Sequence, residues 1–200
     1  DNVDTTNIEE LNGCSNILKQ IITQSKMSDR HISIIKQYYY ELCNIFHGEN
    51  DTLEVAVRSS AVAEYLPNAS FAGQQDTYLN IKGIDNLIPA IVDCFASLFN
   101  SRAISYRKTN NICFEDVKIS VAIQKMVRSD IGSAGVAFSI DPETGYNKAI
   151  VINSSFGLGE LVVSGGVKPD EFILDKRILK DIESDPIISK MRGEKNTKIL

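Results

Sequence analysis

The chain has 200 residues, of which 43% are apolar and 24% charged, a composition typical of a globular protein with one domain or two small ones. No apolar run approaches the ~18 residues of a membrane-spanning helix, which argues against a membrane protein. The net charge of -5 argues against a nucleic-acid-binding protein, because such proteins present a basic face.

The first 52 residues predict two helices. In the first, apolar side chains recur at helical spacing at Leu11, Cys14, Leu18, Ile21 and Ile22. The second begins after Ser28, a residue type favoured at N-caps, and ends at Gly48. Its apolar face comprises Ile32, Ile35, Tyr39, Leu42 and Phe46. These residues, 1–52, form a helical region.

The next region, 53–110, combines a strand, a loop and a helix. A short strand is predicted at 53–57, and residues 58–77 have the small and polar character of a structured loop. A third helix opens at Gly83, with Asp85 as its cap and Pro89 in about its first turn. Its buried stripe comprises Leu87, Ile88, Ile91, Cys94, Phe95 and Leu98.

The last region, 111–200, is rich in predicted strands. These strands cover 119–127, 135–140, 149–153 and 171–175. The sequence DPETGY, residues 141–146, predicts a hairpin turn, since Pro142 presets φ and Gly145 accepts positive φ. Helices followed by a mainly antiparallel sheet indicate an α+β fold.

The cysteines and histidines predict no metal, redox or catalytic site. The four cysteines are far apart and form no CxxC pair or Cys/His cluster, so four buried free thiols in a cytoplasmic protein are the simplest interpretation. They are Cys14, Cys43, Cys94 and Cys113. His31 and His47 lie in the helical region and are interpreted as surface or packing residues.

The stretch 55–80 offers groups that suit an anion. The Arg58 guanidinium can bind phosphate oxygens with two parallel hydrogen bonds. Gly73 lets a backbone approach a ligand closely, and Thr77 adds a hydroxyl group. The alternative is structural: Arg58 pairs with Glu64, and Gly73 only makes a turn.

Two further stretches carry weaker signals. The exit of a strand at Gln124, Met126 and Val127 can supply an edge of backbone hydrogen bonds to an adenine, or Met126 can simply lie in the core. The turn FGLGE, residues 156–160, matches neither a dinucleotide-binding fingerprint nor a P-loop, and a purely structural role is one interpretation of it.

Taken together, these stretches resemble the phosphoenolpyruvate synthase family. More broadly, they resemble the nucleotide-binding part shared with pyruvate, phosphate dikinase and rifampin phosphotransferase. The resemblance rests on VRSSAVAEYLPNASFAGQQDTYLN (57–80), FASLFNSRAISYR (95–107), QKMVRSDIGSAGVAFSID (124–141) and FGLGELVVSGGVKPDEF (156–172). The family usually reads SSATAEDLP where this chain has Val62 and Tyr65.

The resemblance implies an ATP-grasp fold, two α+β lobes that clasp a nucleotide. Residues 1–52 and 53–110 then belong to the first lobe, and 111–200 form the β-rich second lobe, truncated before its end. ATP phosphorylates a histidine on another domain, which passes the phosphoryl group to pyruvate, releasing AMP and phosphate. Arg58, Gly73 and Thr77 are implied to hold the phosphates. Gln124, Met126 and Val127 are implied to line the adenine pocket.

The resemblance also places several parts of the machinery outside these 200 residues. An ATP-contacting lysine is expected before them, and the Mg²⁺ carboxylates and a second arginine after them. The carrier histidine is expected on another domain in cis, so no catalytic or metal-binding residue is assigned here. The implied partners are ATP and, through a further domain, pyruvate, in a gluconeogenic enzyme of the cytoplasm. Two alternatives are a related phosphotransferase, such as rifampin phosphotransferase or pyruvate, phosphate dikinase, and a non-catalytic nucleotide sensor.

Overall fold

The computed structural model describes residues 3–46, 53–61, 76–113, 115, 117–181 and 183–199. The chain divides into two compact units, Asp1–Met126 and Val127–Leu200. Helices and antiparallel strands are both present, so the α+β prediction is confirmed.

The described residues of the first unit form four α-helices and a sheet of three strands. The helices are α1 (Ile8–Gln24), α2 (Asp29–Phe46), α3 (Ile84–Ala96) and α4 (Ser101–Thr109), with a 3₁₀ turn at Ser97–Phe99 between the last two. The strands are β1 (Glu54–Ala61), β2 (Thr77–Lys82) and β3 (Ile119–Lys125), which pair antiparallel in the order β2-β1-β3. The lobe boundary predicted at 110/111 remains a prediction, and β3 pairs with β1 inside the first unit.

The core of the first unit lies between the sheet and the helices. Val55 and Val57 of β1 pack with Leu87 and Ile91 of α3, and all four are almost fully buried. Side chains on a strand alternate between its faces, so these two valines turn one face of β1 toward the helices. The other face of the sheet therefore remains for other contacts.

The second unit is built on a four-stranded sheet. Its strands are β4 (Ser133–Phe138), β5 (Ala149–Phe156), β6 (Asp170–Asp175) and β7 (Ile187–Met191), all antiparallel in the order β4-β5-β6-β7. A 3₁₀ turn (Ser129–Ile131) and the short helix α5 (Glu160–Val163) accompany them. The predicted hairpin turn is confirmed: the Gly145 N–H donates to the Asp141 carbonyl at 2.9 Å, and Gly145 has a φ of 73°.

Three predictions of local structure were wrong. β1 continues to Ala61, so Arg58 lies in a strand, because β3 pairs with β1 as far as Ala61 and β2 pairs with it as far as Arg58. Gly83, not Asp85, is the N-cap of α3, and as a glycine it has no side chain with which to cap the helix. Pro89 is the sixth residue of α3, in its second turn, so the Asp85 carbonyl has no main-chain donor at the helical position.

The cysteine prediction was only partly right. Cys43 and Cys94 are buried, Cys14 is half-buried, and Cys113 is exposed. All four are free thiols.

One helical run, Ile84–Thr109, is long and apolar enough by length and composition to cross a membrane, contrary to the sequence expectation. Core helices of water-soluble proteins meet the same criteria, so this is weak evidence for a membrane span. Leu87, Ile91 and Cys94 of this run lie in the core beside β1, which favours the core-helix interpretation.

Candidate functional site

The register of the first sheet places three predicted site residues on one face. In the antiparallel ladders Arg58 lies opposite Thr77 of β2 and opposite Ala122 of β3. Residues directly opposite each other in such a ladder project to the same face. Gln124 lies two residues beyond Ala122 and therefore shares that face.

This face points away from the helical core. Val121 and Ile123 pack against the core cluster, whereas Arg58, Thr77 and Gln124 are exposed. The structure thus brings together an exposed cation, a hydroxyl and an amide from three neighbouring strands.

Arg58 has no ion-pair partner among the residues that the structure describes. Glu64, its partner in the structural alternative, and Gly73, the predicted glycine of the phosphate loop, both lie outside the described residues. The guanidinium fork is a bidentate donor to phosphate oxygens, so a solvent-facing Arg58 suits an anionic ligand.

Met126 and Val127 have different environments. Met126 belongs to the first unit and is 8% exposed, and its N–H donates to the Glu54 carbonyl at 2.9 Å. That N–H is therefore unavailable to an adenine. Val127 belongs to the second unit, is 76% exposed, and accepts a 2.7 Å bond from the Ser129 N–H at its carbonyl.

Backbone amides of the glycine-rich turn at residues 156–160 form hydrogen bonds to carbonyl groups elsewhere in the chain. The Gly157 N–H donates to the Gly132 carbonyl at 3.3 Å, and the Leu158 N–H donates to the Ile199 carbonyl at 2.9 Å. A Cβ on Gly157 would lie 2.3 Å from that Ile199 oxygen, so glycine permits the close approach of the chain. Both amides are occupied, which supports the structural interpretation of this turn.

A polar cluster at the start of β2 was not anticipated from the sequence. The Asp76 carboxylate, next to Thr77, accepts from the Arg102 guanidinium at 2.6 Å and from the Asn100 side-chain amide at 2.9 Å. The same Asn100 side chain accepts from the Lys19 ammonium at 3.0 Å. The only sequence signal was the stretch 95–107, which contains Asn100 and Arg102 but gives no reason to pair them with Asp76.

The titratable groups beneath this cluster are held neutral. Burial, aided by the Asp76 charge, raises the pKa of Tyr78 to about 12 and that of the Cys94 thiol to about 11. The Cys94 thiol also lies 3.9 Å from the Asp76 carbonyl, as a weak donor. A thiol that stays protonated is a poor nucleophile, so Cys94 has a packing role.

The structure places the remaining candidates away from this chemistry. His31 is exposed on α2 with its Nδ1 2.8 Å from the Ser28 hydroxyl, as expected for a surface histidine, and His47 lies outside the described residues. Within the described ranges no group of three or more His, Cys, Asp or Glu side chains could hold a metal ion, so those residues do not fit Mg²⁺. A cavity of about 360 Å³ near the α1–α2 junction and α3 contains none of the predicted site residues.

Comparison with known proteins supplies the family. Residues 1–200 match the family model described as pyruvate phosphate dikinase, AMP/ATP-binding domain. The phosphoenolpyruvate synthase of Helicobacter pylori is 48% identical over 200 residues, which are 100% of this chain and 24% of that protein. The enzymes of the same name from Aquifex aeolicus and Escherichia coli are 44% and 39% identical over 99% and 100% of the chain, and over 23% and 25% of their own lengths.

The chain therefore spans about a quarter of the length of these curated relatives. The family model matches all 200 residues, and the sequence identities of 39–48% to these relatives are high enough to show common family membership. The chain belongs to the pyruvate phosphate dikinase AMP/ATP-binding domain family.

Proposed function

We propose that this chain is the ATP-binding portion of a phosphoenolpyruvate synthase. The observation that carries the proposal is the shared, exposed face on which Arg58, Thr77 and Gln124 meet. Membership of an AMP/ATP-binding family supports the nucleotide as ligand. The name shared by the reported relatives supports this enzyme over rifampin phosphotransferase or pyruvate, phosphate dikinase.

In this proposal each residue has a distinct task. The Arg58 fork neutralises and orients ATP phosphates, and the Thr77 hydroxyl hydrogen-bonds to them together with Gly73. The family resemblance assigns Gln124, Met126 and Val127 to the adenine pocket, Met126 through its side chain because its N–H is bonded to the Glu54 carbonyl. Gly73 enters only through its sequence resemblance to the family, since the structure does not describe it.

The wider enzyme extends the proposal beyond these residues. The two α+β parts form an ATP-grasp fold, and a histidine on another domain in cis accepts the phosphoryl group and delivers it to pyruvate. The family resemblance implies carboxylates other than those described here for Mg²⁺, which would neutralise charge on the phosphates when bound. The reaction releases AMP and phosphate in the cytoplasm. A test for pyruvate consumption by the whole protein distinguishes the two functions, because a non-catalytic nucleotide sensor would not consume pyruvate.

Substitution of Arg58 tests the proposal. In the full-length protein, Arg58→Ala should lower ATP-dependent transition-state stabilisation by about 2–5 kcal/mol, measured as kcat/KM for ATP. Arg58→Lys should not restore it, because an ammonium group lacks the planar fork.

A matched control is Arg30→Ala, which removes an exposed arginine from α2 and should leave the kinetics unchanged. Unchanged kcat/KM in Arg58→Ala would remove Arg58 from the site.

A further inference from the structure

Asn100 occupies a helix N-cap but does not cap the helix. It directly precedes α4, and its side chain makes no hydrogen bond to the first turn. Asparagine is among the best capping residues because its side-chain oxygen accepts from the free amides of that turn. Here the side chain instead bridges Lys19 and Asp76, residues that lie 81 and 24 positions away along the chain.

The chemistry of the neighbours determines how the amide is oriented. Lys19 has only donors, so it must meet the Asn100 Oδ1, at 3.0 Å. An ionised Asp76 has only acceptors, so it must meet the Asn100 Nδ2, at 2.9 Å. Lys19 thus sets the direction in which Asn100 donates.

Both Asp76 oxygens are consequently held. Oδ2 accepts from Asn100, and Oδ1 accepts from Arg102 at 2.6 Å. Asp76 immediately precedes Thr77, the residue of β2 that lies opposite Arg58. A carboxylate so close to a phosphate site would repel the ligand unless its charge were neutralised and its position fixed.

We infer that Asn100 is a positioning residue for ATP binding: oriented by Lys19, it holds the Asp76 carboxylate away from the phosphates and fixes the start of β2. This inference rests on the proposed function, since it takes the ligand to be ATP. In this role Asn100 acts through Asp76 and not by binding the nucleotide.

Asn100→Asp is the decisive single variant. It preserves the shape of the side chain, but it turns a carboxylate oxygen toward Asp76 in place of a donor. In the full-length protein we expect the Kd for MgATP to rise about ten-fold, with little change in melting temperature. Asn16→Asp on the exposed surface of α1 adds the same charge and should leave the Kd unchanged.

A compensating double variant, Asp76→Asn with Asn100→Asp, separates positioning from simple structural support. The amide introduced at position 76 can donate to the carboxylate introduced at position 100, but its oxygen can still accept from Arg102. The carboxylate at position 100 still accepts from Lys19. Every contact again joins a donor to an acceptor, so MgATP affinity should return to within about three-fold of wild type, whereas Asp76→Asn alone sets two donors against each other.

The outcomes are distinguishable. Failure of the wild-type protein to bind MgATP would overturn the proposed function. Wild-type binding with an unchanged Kd in Asn100→Asp would overturn only the role of Asn100. If Asn100→Asp lowers the melting temperature substantially, the double variant decides: recovery of stability without recovery of MgATP affinity would show that these contacts support the fold but do not set the affinity, and would overturn the role of Asn100 in ATP binding.

Discussion

Tyr39 joins three segments of the first unit through one hydroxyl group. The side chain comes from α2 and is 2% exposed. Its hydroxyl donates to the Leu53 carbonyl at 2.8 Å, just before β1, and accepts from the Gly83 N–H at 3.1 Å, just before α3. Gly83 has a φ of 79°, a conformation that glycine adopts without strain. The tyrosine therefore satisfies two backbone groups where β1 and α3 begin.

Removing that hydroxyl should destabilise the protein. Tyr39→Phe leaves the buried Leu53 carbonyl and the partly buried Gly83 amide without their partner, which we expect to lower the free energy of unfolding by about 1–3 kcal/mol. Tyr38→Phe, at a neighbouring side chain that is 63% exposed, should change it by less than about 0.5 kcal/mol. Urea denaturation of both variants measures the difference, and equal midpoints would show that the Tyr39 hydrogen bonds contribute nothing.

Asp175 makes the second unit sensitive to acid. Its carboxylate accepts from the Arg177 guanidinium at 2.5 and 3.0 Å and from the Arg177 backbone N–H at 2.9 Å. These bonds lower the pKa of Asp175 to about 2. The folded protein therefore keeps Asp175 ionised at a pH where the unfolded chain, with a pKa of about 3.9, takes up a proton.

The direction of the pH dependence follows from this lowered pKa. The stabilisation by Asp175 is fully present above about pH 4 and is lost as the pH falls toward 2. Asp175→Asn should lower the melting temperature at pH 7. Between about pH 5 and pH 2.5 the melting temperature of this variant should decrease less than that of the wild type. Glu143→Gln, an exposed carboxylate in the hairpin turn, serves as the control. A wild-type slope in Asp175→Asn would contradict the prediction.

At the level of elements, the β4–β5 pair depends on a close approach at Gly135. Gly135 lies opposite Ser154, and a Cβ built on it would lie 2.1 Å from the Asn153 carbonyl oxygen. Real Cβ atoms do not come so close to a backbone oxygen, so any side chain must push the two strands apart. The glycine is required by packing between strands, not by a turn.

The two glycines Gly135 and Gly13 should respond oppositely to the same substitution. Gly135→Ala should lower the free energy of unfolding by about 1–3 kcal/mol or more through overpacking. Gly13→Ala, in α1 where a Cβ would meet nothing within 4 Å, should raise it by about 0.5–1 kcal/mol because alanine favours the helix. Thermal unfolding of the pair checks both signs, and a stable Gly135→Ala protein would contradict the close contact.

For the whole molecule, the 200-residue chain alone should bind ATP weakly and perform no chemistry. Phosphoryl transfer depends on positioning together with neutralisation by metal ions and cations, and the proposal places the lysine, the Mg²⁺ carboxylates and the carrier histidine elsewhere. The remaining contacts must offset the translational freedom lost on binding, which predicts a Kd of roughly millimolar or weaker.

Incubation of the purified chain with labelled ATP, Mg²⁺ and pyruvate tests this directly. We expect neither AMP nor labelled protein. Sustained release of AMP, or stoichiometric labelling of His31 or His47, would contradict the proposed assignment of the lysine, the Mg²⁺ carboxylates and the carrier histidine to other residues.

Elements with strong local signals could be predicted from the sequence alone. The apolar periodicity of α1, α2 and α3 and the Pro142–Gly145 turn are local patterns, and the structure contains each of them. β2, β7 and α4 were missed for physical reasons. In β2 the alternation of exposed and half-buried side chains is irregular, and Asn80 has a φ of 57°. Every residue of β7 is exposed, so the strand has no buried face. Helix α4 has too few apolar residues to define a buried face.

The candidate site divides in the same way. Sequence motifs alone singled out Arg58, Thr77 and Gln124 and the family to which they point, because such motifs preserve residue type and spacing. Only the pairing of β1 with β2 and β3 decided that these side chains share a face, since register depends on hydrogen bonds between segments about 20 to 60 residues apart. The bridge from Lys19 through Asn100 to Asp76 likewise exists only in the folded chain, because no local rule predicts which distant side chain an amide will meet.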